Sequence, residues 1–154
     1  DQLKRKVTTE LSQTGTQGES KDGMDISLIR MDLDSRKIEW AGANNGLYLI
    51  QNEELTEIKP NKQPIGYSDQ VEPFTNHQIK INEGDSLFLF SDGFPDQFGG
   101  ERNKKIKNAN FKRLLLENCH LTMPEQQKFL EQFFKNWKGD NEQLDDVCVA
   151  GIKF

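Results

Sequence analysis

The chain has 154 residues, of which 34% are hydrophobic, and a formal net charge of -5; this length and composition are typical of one globular domain. A pI near 5.1 excludes the basic surface that nucleic-acid binding needs. No apolar run approaches the ~20 residues of a membrane-spanning helix. We therefore expect a single soluble, cytoplasmic domain over residues 1–154 that contacts neither nucleic acid nor a membrane.

The first half of the chain predicts one helix followed by a series of strands. Apolar residues spaced by four predict an amphipathic helix over residues 1–13, and a segment rich in Gly, Ser and Thr predicts a loop over residues 14–23. Apolar or alternating runs separated by turn residues predict strands and hairpins. The strands are expected at residues 24–31, 37–42, 46–51, 55–59, 77–81 and 86–91.

The second half predicts two helices and a last strand. Helices are expected over residues 109–119 and 124–137, because each gathers its large apolar side chains on one face, and both should cover one face of a sheet. The run at 87–90 is apolar on both faces, which predicts a central strand. With a final strand at 147–154, helices and strands do not alternate, so the fold class is α+β with mainly antiparallel sheets.

Acidic residues stand at the ends of several predicted strands, where neighbouring strands would bring them together. They are Asp22, Asp25, Asp92, Asp145 and Asp146. Converging carboxylates repel one another unless a cation lies between them, and oxygen ligands without His or Cys suit Mg²⁺ or Mn²⁺. Taken one at a time, each of these residues is better explained as an ordinary turn residue, because Asp is common in turns.

The residues around these acids resemble the metal-dependent Ser/Thr protein phosphatases (the PPM or type 2C family), most closely their SpoIIE-type branch from bacterial stress and sporulation signalling. The resemblance covers roughly residues 15–154 and corresponds to the C-terminal portion of the family's domain. The motifs that carry it are DGMD at 22–25, AGANN at 41–45, PIG at 64–66, GD at 84–85, SDG at 91–93 and DD at 145–146.

The resemblance implies a partial αββα sandwich, with antiparallel sheets and helices on the outer faces. It also implies two Mn²⁺ or Mg²⁺ ions at one edge, whose activated water hydrolyses phosphoserine or phosphothreonine. Asp92 and one residue of the Asp145-Asp146 pair would be metal ligands, and the choice within the pair stays open. Asp22 and Asp25 would either contact the metal or cap a loop.

The sequence also departs from the family's pattern. The family carries a Gly-Asp motif and a Gly-His-Gly run in its first strands, and the Asp of that motif bridges the two metals. Neither His77 nor His120 lies in such a setting. We expect these strands to lie upstream of Asp1, so that this chain is a truncated domain that binds one metal or none and is inactive alone. An incomplete sheet would favour a homodimer through its exposed surface.

A basic segment that begins with glycine follows the predicted metal-binding strand over residues 99–107. Arg102 and Lys104 would form a flap that binds a phosphorylated partner, with Gly93 in the same substrate site, because cationic side chains attract phosphate. The alternative is a solvated loop before a helix.

Two functions follow from these observations. In the first, the chain is the phosphatase output domain of a larger bacterial signalling protein with an upstream sensor domain. Its substrate would be a phosphorylated regulatory protein such as an anti-sigma-factor antagonist. In the second, the chain keeps the phosphatase fold without the metals and acts as a non-catalytic protein-binding module.

Overall fold

Antiparallel sheets and α-helices build the structure, a computed structural model that describes residues 1–16, 21–32, 34, 37–69 and 72–154. In chain order the elements are α1 (Gln2–Glu10), β1 (Gly23–Met24), β2 (Ile26–Asp32), β3 (Lys37–Ala43), β4 (Leu47–Gln51), β5 (Glu54–Ile58), β6 (Ile65–Gly66), β7 (His77–Lys80), β8 (Ser86–Phe90), α2 (Gly93–Asp96), β9 (Phe98–Gly99), β10 (Lys104–Lys105), α3 (Asn108–Glu117), α4 (Met123–Lys138) and β11 (Val149–Lys153). The α+β class with antiparallel sheets is confirmed. Within the described residues no helix has the length and apolarity to cross a bilayer.

Contacts divide the chain into two units. The first comprises Asp1–Leu47 and Lys59–Ile81, and the second comprises Tyr48–Ile58 and Asn82–Phe154. Each unit contains its own sheet of at least three strands, with the order β2-β3-β7 in the first and β11-β8-β4-β5 in the second.

The first unit is organised by the predicted hairpin of β2 and β3. The two strands pair antiparallel, from Ile26 opposite Ala43 to Asp32 opposite Lys37, and β7 pairs with the other edge of β3. The buried side of this sheet carries Ile38 and Trp40, each 1% exposed. A short pair, β1 with β6, lies in the same unit; the sequence did not predict β6 because two residues show no periodicity.

Helix α1 forms as predicted, but its apolar stripe is not its buried face. Leu3 and Leu11 are 43% and 52% exposed, whereas Lys4 is 7% exposed. The Lys4 ammonium donates to Gln63 Oε1 at 2.7 Å and to Ser68 Oγ at 2.8 Å, so polar partners from the chain around β6 account for its burial. Burial lowers the pKa of Lys4 below its ordinary value.

In the second unit β8 is a central strand, as its two-sided apolar pattern predicts. Leu87 and Phe88 lie on opposite faces and are 0% and 1% exposed. The last strand, β11, pairs antiparallel with β8, from Val149 opposite Phe90 to Lys153 opposite Ser86.

Helices α3 and α4 pack on one face of this sheet, as predicted. Their apolar faces join side chains of β4, β8 and α2 in one core. Its buried members are Tyr48, Ile50, Phe88, Phe94, Ile106, Phe111, Leu114, Leu115 and Leu130. Helix α4 begins with a capping box of Thr122 and Glu125. The proline in its first turn is the signal by which its start was predicted within one residue.

The turn at residues 82–85 does not close a hairpin between the strands on either side of it. Both predicted strands form, but β7 belongs to the sheet of the first unit and β8 to that of the second. Asp85, which is 5% exposed, accepts hydrogen bonds from the backbone N–H of Asn82 at 2.7 Å and from Gln51 Nε2 at 2.6 Å. These bonds fix the turn without strand pairing across it.

Candidate acidic site at the end of strands β8 and β11

Ser91 extends the ladder between β8 and β11 by one step. Its backbone N–H donates to the Cys148 carbonyl at 3.0 Å. In the return direction the Cys148 N–H donates to the Ser91 hydroxyl at 2.9 Å. The Ser91 side chain thus takes the place of a backbone carbonyl where the main chain turns into α2. Its hydroxyl donates to the Asp146 carbonyl at 2.8 Å.

Gly93 completes the same junction from the other side of Asp92. It is buried, and a Cβ at this position would collide with the carbonyl oxygen of Asp146. Only glycine permits this close approach. Both neighbours of Asp92 therefore touch the Asp146 main chain, and the segments that carry Asp92 and the Asp145-Asp146 pair lie side by side.

The three acidic side chains at this junction belong to exposed residues. Asp92 occupies the N-cap position of α2, but its side chain makes no capping hydrogen bond. Asp145 Oδ1 accepts the backbone N–H of Asp146 at 2.7 Å. That local bond orients the Asp145 side chain; it is common for Asp in turns and is also compatible with a ligating carboxylate, which is usually held by a hydrogen bond of its own.

Asp22 and Asp25, the other predicted candidates, lie in the first unit. Asp25 Oδ1 accepts from Asn44 Nδ2 at 2.8 Å, beside the Ile26–Ala43 pair that ends the β2-β3 hairpin. The Asp22 carbonyl accepts from Gln13 Nε2. For Asp25 this is the loop-capping contact that the sequence left open, and a metal role of either residue stays a prediction.

The donors at the junction have the chemistry of a Mg²⁺ or Mn²⁺ site, since all are carboxylate oxygens. Across the parts of the chain that the structure describes, however, no group of three or more His, Cys, Asp or Glu side chains is arranged to hold a metal ion. The donor type therefore fits a hard divalent cation, but the described residues contain no complete set of metal ligands, and a metal role for Asp92, Asp145 or Asp146 stays a prediction.

The basic segment at 99–107 is an anchored hairpin rather than a loop without structure. Strands β9 and β10 pair with Gly99 opposite Lys104. Trp137 of α4 anchors both sides of this hairpin. Its carbonyl accepts the Gly100 N–H at 2.8 Å, and its indole N–H donates to the carbonyls of Gln97 and Lys104, each at 3.2 Å. We call residues 98–105 the flap hairpin.

The basic side chains of the flap hairpin are exposed to solvent. Arg102 and Lys104 are exposed, so they are accessible to a partner, and their predicted role in phosphate binding stays a prediction. Gly93, the third predicted substrate residue, has the packing role described above.

Three residues of this region have structural roles that the sequence analysis did not predict. They are Ser91, Gln97 and Trp137. Gln97 is 2% exposed, and its Nε2 donates to the carbonyls of Phe98 at 2.9 Å and Glu142 at 3.0 Å. It thereby connects the flap hairpin to the segment that precedes Asp145. The sequence signal for Ser91 was its place in the SDG motif after an apolar strand, and for Trp137 it was the apolar face of the predicted helix over 124–137. No signal marked Gln97.

Comparison with known proteins identifies a family to which this chain is similar. Residues 2–154 match the family described as Stage II sporulation protein E (SpoIIE). The solved SiaA-PP2C domain of Pseudomonas aeruginosa has 27% sequence identity and a TM-score of 0.84, over 98% of this chain and 57% of that one. No curated protein sequence matches.

More distant structures share the fold. The phosphatase domain of the cell fate determinant SpoIIE from Bacillus subtilis has 14% identity and a TM-score of 0.60, over 97% of this chain and 64% of that one. The serine/threonine phosphatase of S. agalactiae has 17% identity and a TM-score of 0.62, over 97% and 65%. The chain thus spans less than two thirds of each of these structures. Because the family match covers nearly all of the sequence and the fold agrees, the chain belongs to the SpoIIE family and has the fold of a PP2C-type serine/threonine phosphatase domain.

Proposed function

We propose that this chain is part of a divalent-metal-dependent phosphatase that hydrolyses phosphoserine or phosphothreonine in proteins. The observation that carries the proposal is the junction in which Ser91 and Gly93 hold Asp92 beside the Asp145-Asp146 pair. The SpoIIE family match and the similarity to the SiaA-PP2C domain support it.

Asp92 and Asp145 are the residues that we propose as metal ligands at this junction. A Mn²⁺ or Mg²⁺ ion held by these residues would lower the pKa of a bound water, which would serve as the nucleophile for a phosphate ester. The protein's own contribution is to position the acidic side chains. Ser91 and Gly93 fix the two backbone segments, and the Asp146 N–H orients the Asp145 carboxylate. We favour Asp145 over Asp146 because of this orienting bond.

The flap hairpin is the proposed contact for the phosphorylated partner. Exposed Arg102 and Lys104 provide positive charge on a hairpin that Trp137 and Gln97 hold in place, and Arg binds phosphate through two parallel hydrogen bonds. In the wider proposal this partner is a phosphorylated regulatory protein, such as an anti-sigma-factor antagonist, and the chain is the output domain of a sensor protein.

A second candidate is a non-catalytic module that binds proteins through the same fold. The observation in its favour is that the described residues contain no complete group of metal-binding side chains. Such a module would still use the flap hairpin for protein contact, but it would neither need a divalent metal nor release phosphate.

One experiment distinguishes the two functions. The full-length protein is incubated with Mn²⁺ and a phosphoserine peptide, and phosphate release is compared for the unmodified protein, Asp92→Asn, Asp145→Asn and Asp140→Asn. Asp140 is exposed and makes a matched control. We expect both ligand variants to lose activity by about 100-fold or more and the control to keep it. Peptide binding without Mn²⁺-dependent phosphate release from the unmodified protein would favour the binding module.

A further inference from the structure

Residues 139–148 connect helix α4 to strand β11 without helix or strand structure of their own, and they carry Asp145 and Asp146. The first residues of this connection bond back to the last turn of α4. At its far end, Asp146 is held by the junction described above. Whatever holds residues 142–145, between these two points, decides where the Asp145 carboxylate lies.

One side chain from outside the connection reaches residues 142–145. Gln97 Nε2 donates to the Glu142 carbonyl at 3.0 Å, across 45 residues of sequence. Within the part of the chain that the structure describes, this is the one hydrogen bond that joins residues 142–145 to another element. Gln143 Nε2 donates to the Asp145 carbonyl at 2.9 Å. Because of this internal bond, restraining Glu142 also restrains Asp145.

Gln97 is itself a fixed point of the second unit. It is 2% exposed, and its Nε2 makes a second bond to the Phe98 carbonyl at 2.9 Å. Its own carbonyl accepts the Ile106 N–H at 3.1 Å and the Trp137 indole N–H at 3.2 Å. A side chain that is locked by packing and by hydrogen bonds can hold its partner in one position.

We propose that Gln97 is a positioning residue for the acidic site: it holds residues 142–145 so that Asp145 stays at the junction that carries Asp92. This inference rests on the proposed function, in which Asp92 and Asp145 are metal ligands. Loss of a group that orients a metal ligand typically weakens metal binding 10- to 100-fold. Gln97 acts through the main chain of Glu142, one step further from the ligand, so we expect a loss of about 10-fold.

Gln97→Met tests the position of the segment in the absence of metal. Methionine has a similar length but no donor, so both Nε2 bonds are lost. In hydrogen exchange of the metal-free, full-length protein, followed by mass spectrometry, we expect peptides within residues 139–148 to exchange about 5- to 10-fold faster. Gln126→Met is the matched control. Gln126 is also 2% exposed and donates to the Leu121 carbonyl, so exchange in residues 139–148 should not change.

Calorimetric titration with Mn²⁺ tests the consequence for the acidic site. Comparison with Asp92→Asn identifies the binding that belongs to the junction, because this variant should lack it. We expect Gln97→Met to weaken that binding about 10-fold and Gln126→Met to leave it unchanged. If Gln97→Met does not fold, Gln97→Asn replaces it, since its amide lies about 1.5 Å short of the Glu142 carbonyl.

Two outcomes would overturn the proposal. In the first, residues 139–148 of Gln97→Met exchange at the rate of the unmodified protein. In the second, exchange is faster but Mn²⁺ affinity is unchanged, which would make the role of Gln97 purely structural. Absence of Asp92-dependent Mn²⁺ binding in the unmodified protein would contradict the proposed function and with it the metal role of Gln97. The exchange result decides separately whether Gln97 holds the segment.

Discussion

Gly93 lies directly against the main-chain carbonyl of Asp146, with no space between them for a side chain. Because Ser91 bonds to the same carbonyl, the two neighbours of Asp92 form a clamp around one oxygen atom. Two segments that are more than fifty residues apart along the chain are held together there. The stability of the clamp is therefore the physical condition for the acidic site.

Gly93→Ala tests the close approach itself. The added methyl group would collide with the Asp146 carbonyl, which is main chain and cannot turn aside as a flexible side chain would. We expect the free energy of unfolding to fall by about 1–3 kcal/mol, as measured by urea denaturation. An unchanged unfolding midpoint would show that the junction is looser than the structure indicates.

Ser91→Ala tests the hydroxyl of the clamp. The variant removes the acceptor of the Cys148 N–H and the donor to the Asp146 carbonyl, so we expect a loss of about 1–2 kcal/mol in unfolding free energy. Ser91→Thr is the matched control, because it retains a hydroxyl and should recover most of the loss. Equal destabilisation by Ala and Thr would mean that packing, and not hydrogen bonding, explains the effect.

The patterns that predicted most of the fold were long enough to show periodicity. The two-sided apolar run identified β8 as central, and the proline near the start of α4 located that helix. The elements that were missed, β6, α2, β9 and β10, have two to four residues each. Lys4 was missed for another reason: its burial depends on Gln63 and Ser68, distant partners that no local pattern reveals.

The acidic site, like the fold, could be predicted from the sequence only in part. Asp92 was noticed because it follows an apolar strand in the SDG motif, but its role as a metal ligand was implied only by the family resemblance and stays a prediction. Its pairing with Asp145-Asp146 was implied by the family resemblance, since no periodicity says which strands become neighbours. The clamp contacts of Ser91 could not be predicted from the sequence, because they depend on where the β8-β11 ladder ends.

Trp137→Phe tests the anchoring of the flap hairpin. Phenylalanine keeps an aromatic ring next to Phe133, which stacks on Trp137 at 5.9 Å between centroids, but it cannot donate to the Gln97 and Lys104 carbonyls. We expect amide hydrogen exchange in residues 98–105 to accelerate by about 5- to 10-fold. Phe129→Leu, on the same helix but without bonds to the hairpin, serves as the control and should leave exchange there unchanged.

The capping box of α4 predicts that the unmodified chain and the Glu125→Gln variant differ in unfolding free energy by an amount that depends on pH in the acid range. Hydrogen bonds from the Thr122 hydroxyl and backbone N–H lower the pKa of Glu125 below its ordinary 4.5, so the ionised form is favoured in the folded chain. Its stabilisation is complete above the unfolded pKa and is lost as the pH falls through the lower, folded pKa. The unfolding free energy of the unmodified chain should therefore approach that of Glu125→Gln in acid.

Urea titrations at a series of pH values between neutral and strongly acidic measure this convergence. Glu83→Gln, at an exposed turn position, is the control and should give a difference that varies little with pH. A Glu125→Gln difference that stays constant down to the lowest pH would contradict the capping role of the carboxylate.

The most direct test of the acidic site is to follow the amide NMR signals of the chain during a titration with Mn²⁺, whose paramagnetism broadens signals near the bound ion. If Asp92 and Asp145 are ligands, the amides at 91–93 and 145–148 should broaden first, and Asp92→Asn should abolish this selectivity. Broadening that begins elsewhere, or that is the same in Asp92→Asn, would contradict a divalent-metal site at the junction of β8 and β11.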